Sequence, residues 1–169
     1  MSNNPNIFYK KKILIYGLGK SGLSVFKFLN KNNQITKYDD KINNDIKKIT
    51  KKNFDYIIIS PGIDINKCSL SKFLKKNSKK IYTDLDIFYN HHTKNNKITI
   101  TGTNGKSTTA KILYEVLKSQ KIDVRLVGNI GNPALLEKKV TNKTVFVIEA
   151  SSYQLDYSKL FKSNISLIL

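Results

Sequence analysis

The chain has 169 residues, of which 40% are hydrophobic and 10% aromatic, and its 30 Lys plus Arg against 12 Asp plus Glu give a formal net charge of +18. That apolar content excludes a disordered polyelectrolyte and suffices for one compact domain or two small ones. A single cysteine, Cys68, and two histidines, His91 and His92, exclude an internal disulfide and a Cys/His zinc site.

In chain order, Met1 to Lys12 carries no apolar secretory core, and no run approaches the roughly 18 apolar residues that span a bilayer. Short β-branched runs then recur with helical stretches between them: Ile13 to Tyr16, Gln34 to Tyr38, Tyr56 to Ser60, Ile98 to Thr101, Val124 to Val127, Val145 to Glu149 and Ile165 to Leu169. This is βαβ alternation. Runs such as Tyr56-Ile57-Ile58-Ile59 and Val145-Phe146-Val147-Ile148 are apolar on both faces, as strands inside a helix-covered parallel sheet must be. The prediction is an α/β protein with a Rossmann-like parallel-sheet domain over residues 1–92. A polar stretch from His91 to Asn96 then leads into the start of a P-loop-type α/β ATPase domain over residues 93–169. An end on Ile165-Ser166-Leu167-Ile168-Leu169 predicts a strand in want of a neighbour, so the sequence reads as the N-terminal part of a longer protein.

Gly17-Leu18-Gly19-Lys20-Ser21-Gly22 is a GxGxxG between a predicted strand and a helix-like segment, Leu23 to Asn30. The first glycine permits the turn, the second lets backbone approach a pyrophosphate, and the third allows close packing of helix on strand. Asp39 ends the second strand, where a carboxylate can accept from a ribose or a base, and Ser60-Pro61-Gly62 closes the third. Three successive strand ends thus carry loop chemistry on the edge where open α/β sheets bind ligands. The alternative is that these glycines serve helix packing alone.

Ile98-Thr99-Ile100-Thr101 leads into Gly102-Thr103-Asn104-Gly105-Lys106-Ser107-Thr108 and then into a helix with Ala110, Leu113 and Leu117 on one face. Backbone N–H groups and a helix N-terminus can enclose phosphate oxygens there, while Lys106 neutralises charge and the Ser107 hydroxyl can meet Mg²⁺. Ile100 stands where the strict motif has glycine, so the loop is a shortened variant. Glu149, closing an apolar strand, is the candidate carboxylate for the metal. A plain capped turn and an ordinary strand-end acid are the alternatives.

The positive charge alone would suggest nucleic acid. However, 29 of the 30 basic residues are lysine, in solvated runs, and only Arg125 is arginine, the residue of bidentate phosphate and base contacts. The expectation is a soluble cytoplasmic monomer with no nucleic-acid partner and no membrane insertion.

The segments Thr101 to Thr108, Gly128-Asn129-Ile130-Gly131 and Glu149-Ala150-Ser151-Ser152-Tyr153-Gln154-Leu155 together resemble the Mur ligases of peptidoglycan synthesis. With Gly17 to Gly22, Ser60-Pro61-Gly62 and Asn132-Pro133, they look most like the branch of that family that adds D-glutamate to UDP-N-acetylmuramoyl-L-alanine. The resemblance covers the family's N-terminal domain and the first part of its central domain. It implies ATP-dependent amide formation, in which a substrate carboxylate takes the γ-phosphoryl group and the amine of D-glutamate attacks the acyl phosphate. It also implies that the first glycine-rich loop serves UDP, with Gly17, Gly19, Lys20 and Ser21 against the diphosphate and uridine and with Asp39, Asp40, Ser60 and Gly62 near the uracil or ribose. Gly102 to Gly105 and Thr108 would belong to the ATP site. Lys106 would contact the β- and γ-phosphates, Ser107 and Glu149 would position Mg²⁺, and Asn129, Ser151 and Gln154 would contact the muramoyl part and the γ-phosphate region. The family's Asn-x-x-x-Asp-His segment, carbamylated lysine and C-terminal domain lie beyond Leu169, which implies little or no ligase turnover for these 169 residues alone. A UDP-sugar- or nucleotide-binding Rossmann module without ligase activity is the competing reading.

Overall fold

In the computed structural model, which describes residues 6–42 and 45–169, β1 (Lys12–Tyr16) lies at the centre of a parallel sheet. It pairs on one side with β2 (Gln34–Tyr38) and on the other with β3 (Tyr56–Ile59), which pairs in turn with β4 (Ile81–Tyr82). Ile13, Leu14, Ile15, Ile57, Ile58 and Ile59 are buried on both faces, as their uninterrupted β-branched runs require. The crossovers carry α1 (Lys20–Leu29), α2 (Ile46–Thr50) and α3 (Ser71–Lys76).

After α4 (Asp84–His91) a second parallel sheet forms from β5 (Asn96–Thr101), β6 (Val124–Gly128), β7 (Val145–Glu149) and β8 (Ile165–Ile168), in the order β6-β7-β5-β8. Between them run α5 (Lys106–Ser119), a 3-10 turn at Ala134–Leu136 and α6 (Ser152–Tyr157). One apolar cluster joins the two sheets: Ile13 and Ile15 of β1, Phe8 just before it, Val25 of α1 and Ile58 of β3 pack with Leu85, Ile87 and Phe88 of α4 and with Val127 of β6, Phe146 and Ile148 of β7 and the adjoining Ala150. No helix among the described residues is long and apolar enough to cross a membrane.

All seven runs read as strands form strands. Ser60 leaves β3 because its hydroxyl turns back to donate to the Gly17 carbonyl at 2.7 Å. The first helix starts at Lys20, three residues before the apolar run that announced it, because Gly19 already serves as its N-cap. The polar stretch after α4 is less solvated than its composition suggests. The Asn95 amide donates to the carbonyls of Thr141 and Thr144 at 2.7 and 2.9 Å, and His92 packs between Phe88 and Phe146, where desolvation pulls its pKa down to about 4.

Lys97 is the unexpected core residue. It is 1% exposed, its ammonium donates to the Asn95 carbonyl at 2.6 Å and stands 5.2 Å from the Tyr89 ring centre, and burial brings its pKa down to about 8. Because the folded state releases this proton before the unfolded chain does, stability rises with pH from about 8 to the ordinary lysine pKa of 10.5, and the penalty is full below that window. Lys97→Met is expected to raise stability at pH 7 by roughly 1–2 kcal/mol and to flatten that rise. Urea melts of both chains at pH 7 and 10 check it; parallel pH dependences would refute the burial cost.

Candidate functional site

Both glycine-rich loops lie at the carboxyl ends of their strands. In the first, Gly17 has φ +91°, and a Cβ there would meet Ser60 Cβ at 2.8 Å. A Cβ on Gly22, inside α1, would stand 1.8 Å from the Gly17 carbonyl oxygen, so the helix rests directly on the loop. Gly19 and Gly62 differ: a Cβ on either meets no protein atom within 4 Å.

Asp39 holds this loop to the end of β2. One carboxylate oxygen accepts from Leu18 N–H at 2.7 Å and the other from Lys41 N–H at 3.0 Å, and these bonds lower its pKa. Asp40 accepts from Tyr16 hydroxyl at 2.7 Å and from Ser69 hydroxyl. Burial and the bond to Asp40 both raise the Tyr16 pKa.

These residues line a cavity of about 690 Å³. From the first half it takes Gly17, Gly19, Lys20, Ser21, Asp39, Asp40, Ser60 and Gly62; from the second it takes Gly128, Asn129, Gly131 and Pro133. The chain reaches Asn129 through a tight link: Gly128 has φ +107°, its Cβ position lies 2.2 Å from the Glu149 carbonyl oxygen, and Asn129 N–H donates to that oxygen at 3.0 Å.

In the second loop Gly102, at φ +134°, presses against the Leu169 backbone, and Gly105, at φ +80°, is the N-cap of α5 without a side-chain cap bond. The first-turn N–H groups of α5 therefore have no capping side chain. Lys106 folds over its own loop, donating to the carbonyls of Gly102 and Thr103 at 2.7 and 3.0 Å. Ser107 donates to the Glu149 carboxylate at 2.8 Å, and Glu149 is buried at the end of β7. Thr103 and Asn104 lie on the loop between. Thr108, in the first turn of α5, lines a separate apolar groove with Ile112, Val116, Leu126 and Ile130. A basic ammonium, uncapped N–H groups and a hydroxyl–carboxylate pair are the donor set that a nucleotide triphosphate with a hard divalent cation requires.

Ser151 and Gln154 are not among the residues that line this cavity. They form a capping box at the start of α6: Ser151 Oγ accepts from Gln154 N–H at 3.2 Å, and Gln154 Oε1 accepts from Ser151 N–H at 3.1 Å. Gln154 is 1% exposed and its amide nitrogen donates to Asp84 at 2.9 Å.

The sequence reading passed over α4 and its two acids. Asp86 is fully buried and accepts from the consecutive backbone N–H groups of Lys159, Leu160 and Phe161 at 2.8, 2.7 and 3.1 Å, and from Thr83 N–H at 2.8 Å. The available signal was Thr83 three residues before Asp86, a capping-box spacing at a helix start.

Residues 100–168 match the family model of the Mur ligase middle domain. A UDP-N-acetylmuramoylalanine--D-glutamate ligase of Rickettsia felis is 35% identical over 97% of this chain, and one of Caldicellulosiruptor saccharolyticus is 33% identical over 95%. The crystal structure of the UDP-N-acetylmuramate:L-alanyl-gamma-D-glutamyl-meso-diaminopimelate ligase from Neisseria meningitides is similar at TM-score 0.46 and 15% identity, covering 84% of this chain and 52% of that one. The chain spans 39% and 40% of the length of the two curated relatives. Through residues 100–168 the chain thus matches the Mur ligase family, and over nearly its whole length it is similar to the two curated D-glutamate ligases.

Proposed function

We propose that this chain carries the UDP-sugar-binding part and the phosphate-loop part of an ATP-dependent ligase that joins D-glutamate to UDP-N-acetylmuramoyl-L-alanine. The observation that carries the reading is the single cavity lined by the first glycine-rich loop and by Gly128-Asn129, one hydrogen bond from the strand end bearing Glu149. A ligand with its uridine diphosphate at Gly17, Gly19, Lys20 and Ser21 and its nucleoside near Asp39, Asp40, Ser60 and Gly62 would extend past Asn129 toward Lys106. Residues 1–92 and 93–169 would then act as two domains sharing one ligand.

The phosphate loop fits ATP with Mg²⁺. Lys106 would exchange two neutral carbonyls for β- and γ-phosphate oxygens, the amides of Gly102 to Gly105 would cradle them, and Ser107 and Glu149 would hold the cation, whose remaining ligands are phosphate oxygens and water. The bound nucleotide supplies the γ-phosphoryl group that activates the substrate carboxylate. This chain's own contribution is positioning and charge neutralisation.

Isothermal titration tests the reading. UDP-N-acetylmuramoyl-L-alanine is expected to bind and NADH is not. Mg·ATP is expected to bind at least tenfold more weakly to Lys106→Ala, in line with the loss of a charge-assisted phosphate contact. Binding of NADH in place of the UDP-sugar would favour the simple Rossmann module; absence of any UDP-sugar binding would sink the proposal.

A further inference from the structure

Arg125, the one arginine among 30 basic residues, lies on β6 just before the turn that brings Gly128, Asn129, Gly131 and Pro133 to the ligand cavity. Its Nε stands 3.3 Å from one Glu137 carboxylate oxygen, while a terminal guanidinium nitrogen donates to the Asp123 carboxylate and, at 3.0 Å, to the Val124 carbonyl. The other Glu137 oxygen accepts from the Asn132 side-chain amide at 2.8 Å. Glu137, whose side chain is 8% exposed, therefore ties the far end of the turn to the strand that the turn leaves.

The tie matters because the turn's own bonds are long. Gly128 and Gly131, at φ +107° and +73°, fold the chain back on β6, with the Gly131 Cβ position 2.1 Å from the Leu126 carbonyl oxygen. Gly128 N–H reaches the Asn132 carbonyl at 3.4 Å and Asn132 N–H the Leu126 carbonyl at 3.3 Å, beyond the usual range of about 2.7–3.2 Å. The bond from Asn132 to a carboxylate is shorter and charge-assisted, so it holds the turn more firmly than they do. Two donors converge on Glu137, which must accept at both of its oxygens. A guanidinium fork meets Glu137 and Asp123 together, which the point charge of a lysine does not reproduce.

The braced turn is also a partition. Asn129 and Pro133 line the cavity, Ile130 lines the apolar groove beside Ser107, and Gly131 lines both. Its position sets the width of the passage through which a ligand held by the first glycine-rich loop would extend toward Lys106.

We infer that Arg125 and Glu137 are positioning residues for the UDP-sugar: by clamping Asn132 they hold Asn129 and Gly131 where the part of the ligand beyond the diphosphate must pass. The inference rests on the UDP-sugar reading of the cavity. Neither side chain is part of the cavity lining. Little folding stability is at stake, because the Arg125 and Asp123 side chains are 28% and 37% exposed and pairs so open to solvent contribute little.

The test titrates native chain and variants with UDP-N-acetylmuramoyl-L-alanine, which passes the turn, and with uridine monophosphate, which stays on the first loop. Glu137→Gln is nearly isosteric but must turn its NH₂ toward one of two donors. It is expected to weaken the UDP-sugar at least fivefold, to leave uridine monophosphate within twofold, and to keep the thermal midpoint within about 4 °C of native. Arg125→Met should do the same, and the double variant should be no weaker than the weaker single, as for two members of one network. Amide hydrogen exchange at Gly128 and Asn132 should speed up at least tenfold in both variants while Leu14 and Ile58 keep the native rate; Glu137→Gln decides the matter if Arg125→Met does not fold. Affinity for the UDP-sugar within twofold of native in Glu137→Gln, an equal loss of both ligands, additive losses in the double variant, or unchanged exchange at Gly128 and Asn132 would overturn the inference. Failure of the native chain to bind the UDP-sugar would instead overturn the ligand reading on which it rests.

Discussion

Asp86→Ala is expected to lower the unfolding free energy by at least about 3 kcal/mol, the largest stability effect of any single polar substitution in this chain. The carboxylate lies in the core and its two oxygens satisfy four backbone donors, three of them consecutive N–H groups of residues 159–161. Alanine leaves those donors without a partner where water has little access, and each buried orphan costs about 1–3 kcal/mol. The effect is amplified by position. Thr83 hydroxyl meets Ser158 hydroxyl at 2.6 Å, and the Lys159 ammonium reaches the Ser78 carbonyl at 2.7 Å, so the segment after α6 is tied to the first half largely through this one neighbourhood. For a chain of this length the midpoint of thermal unfolding should fall by roughly 6–12 °C. Asp86→Asn should fall between native and alanine, because its NH₂ group must face a backbone N–H on one side. A drop below about 1 kcal/mol for alanine in calorimetry would show that the segment finds other acceptors, and the clasp would lose its importance.

Gly22→Ala is expected to act in the opposite direction from its helix propensity. In an unconstrained helix interior, replacing glycine by alanine gains about 1 kcal/mol. Here the new methyl would stand 1.8 Å from the Gly17 carbonyl oxygen and 3.0 Å from Ser60 Oγ. Relief requires moving the loop, because the Gly17 carbonyl is itself held by the Ser60 hydroxyl, or lifting α1 off it. Overpacking of this kind costs about 1–3 kcal/mol, which outweighs the propensity gain. The displaced loop also lines the cavity, so under the function proposed above UDP-sugar affinity should fall at least tenfold. Gly19→Ala, with open space around its Cβ, should leave the melting temperature within about 2 °C, since surface changes of this kind stay near 0.5 kcal/mol. Denaturation and titration of the two variants side by side decide the matter: a stabilised Gly22→Ala chain would contradict the close approach of helix and loop.

The sheets were legible because their strands are continuous β-branched runs, and parallel burial leaves little choice of element. β4 was not, since Ile81–Tyr82 is two residues long and holds its place only by pairing with Ile57 and Ile58. The Ser107–Glu149 pair was legible from loop grammar: a helix-start hydroxyl and a strand-end acid on the same sheet edge meet almost by construction. Gln154 shows the limit of such reasoning. Its place in the SSYQL segment marks it as polar and near the site, yet its amide is spent on Asp84, 70 residues earlier, and no local pattern encodes that partner. Lys97 was equally invisible, one lysine among many, because burial depends on Tyr89 and Asn95 closing around it.

The contrast between the glycines has an evolutionary consequence. Gly17, Gly22, Gly102, Gly128 and Gly131 are required by the protein's own atoms, and any selection for folding protects them. Gly19 and Gly62 border the cavity with no protein atom near, so the chain folds as well with a side chain there. Gly19 even caps α1 without a side-chain bond, and serine at that position would tighten the cap by a few tenths of a kcal/mol. Laboratory evolution rewarded only for heat resistance would therefore drift toward filling the cavity mouth and lose recognition without any warning from expression or solubility. Diversity tolerated at residues 19 and 62 under a growth-linked selection, set against diversity tolerated under a folding reporter, would separate the demands of the ligand from those of the scaffold.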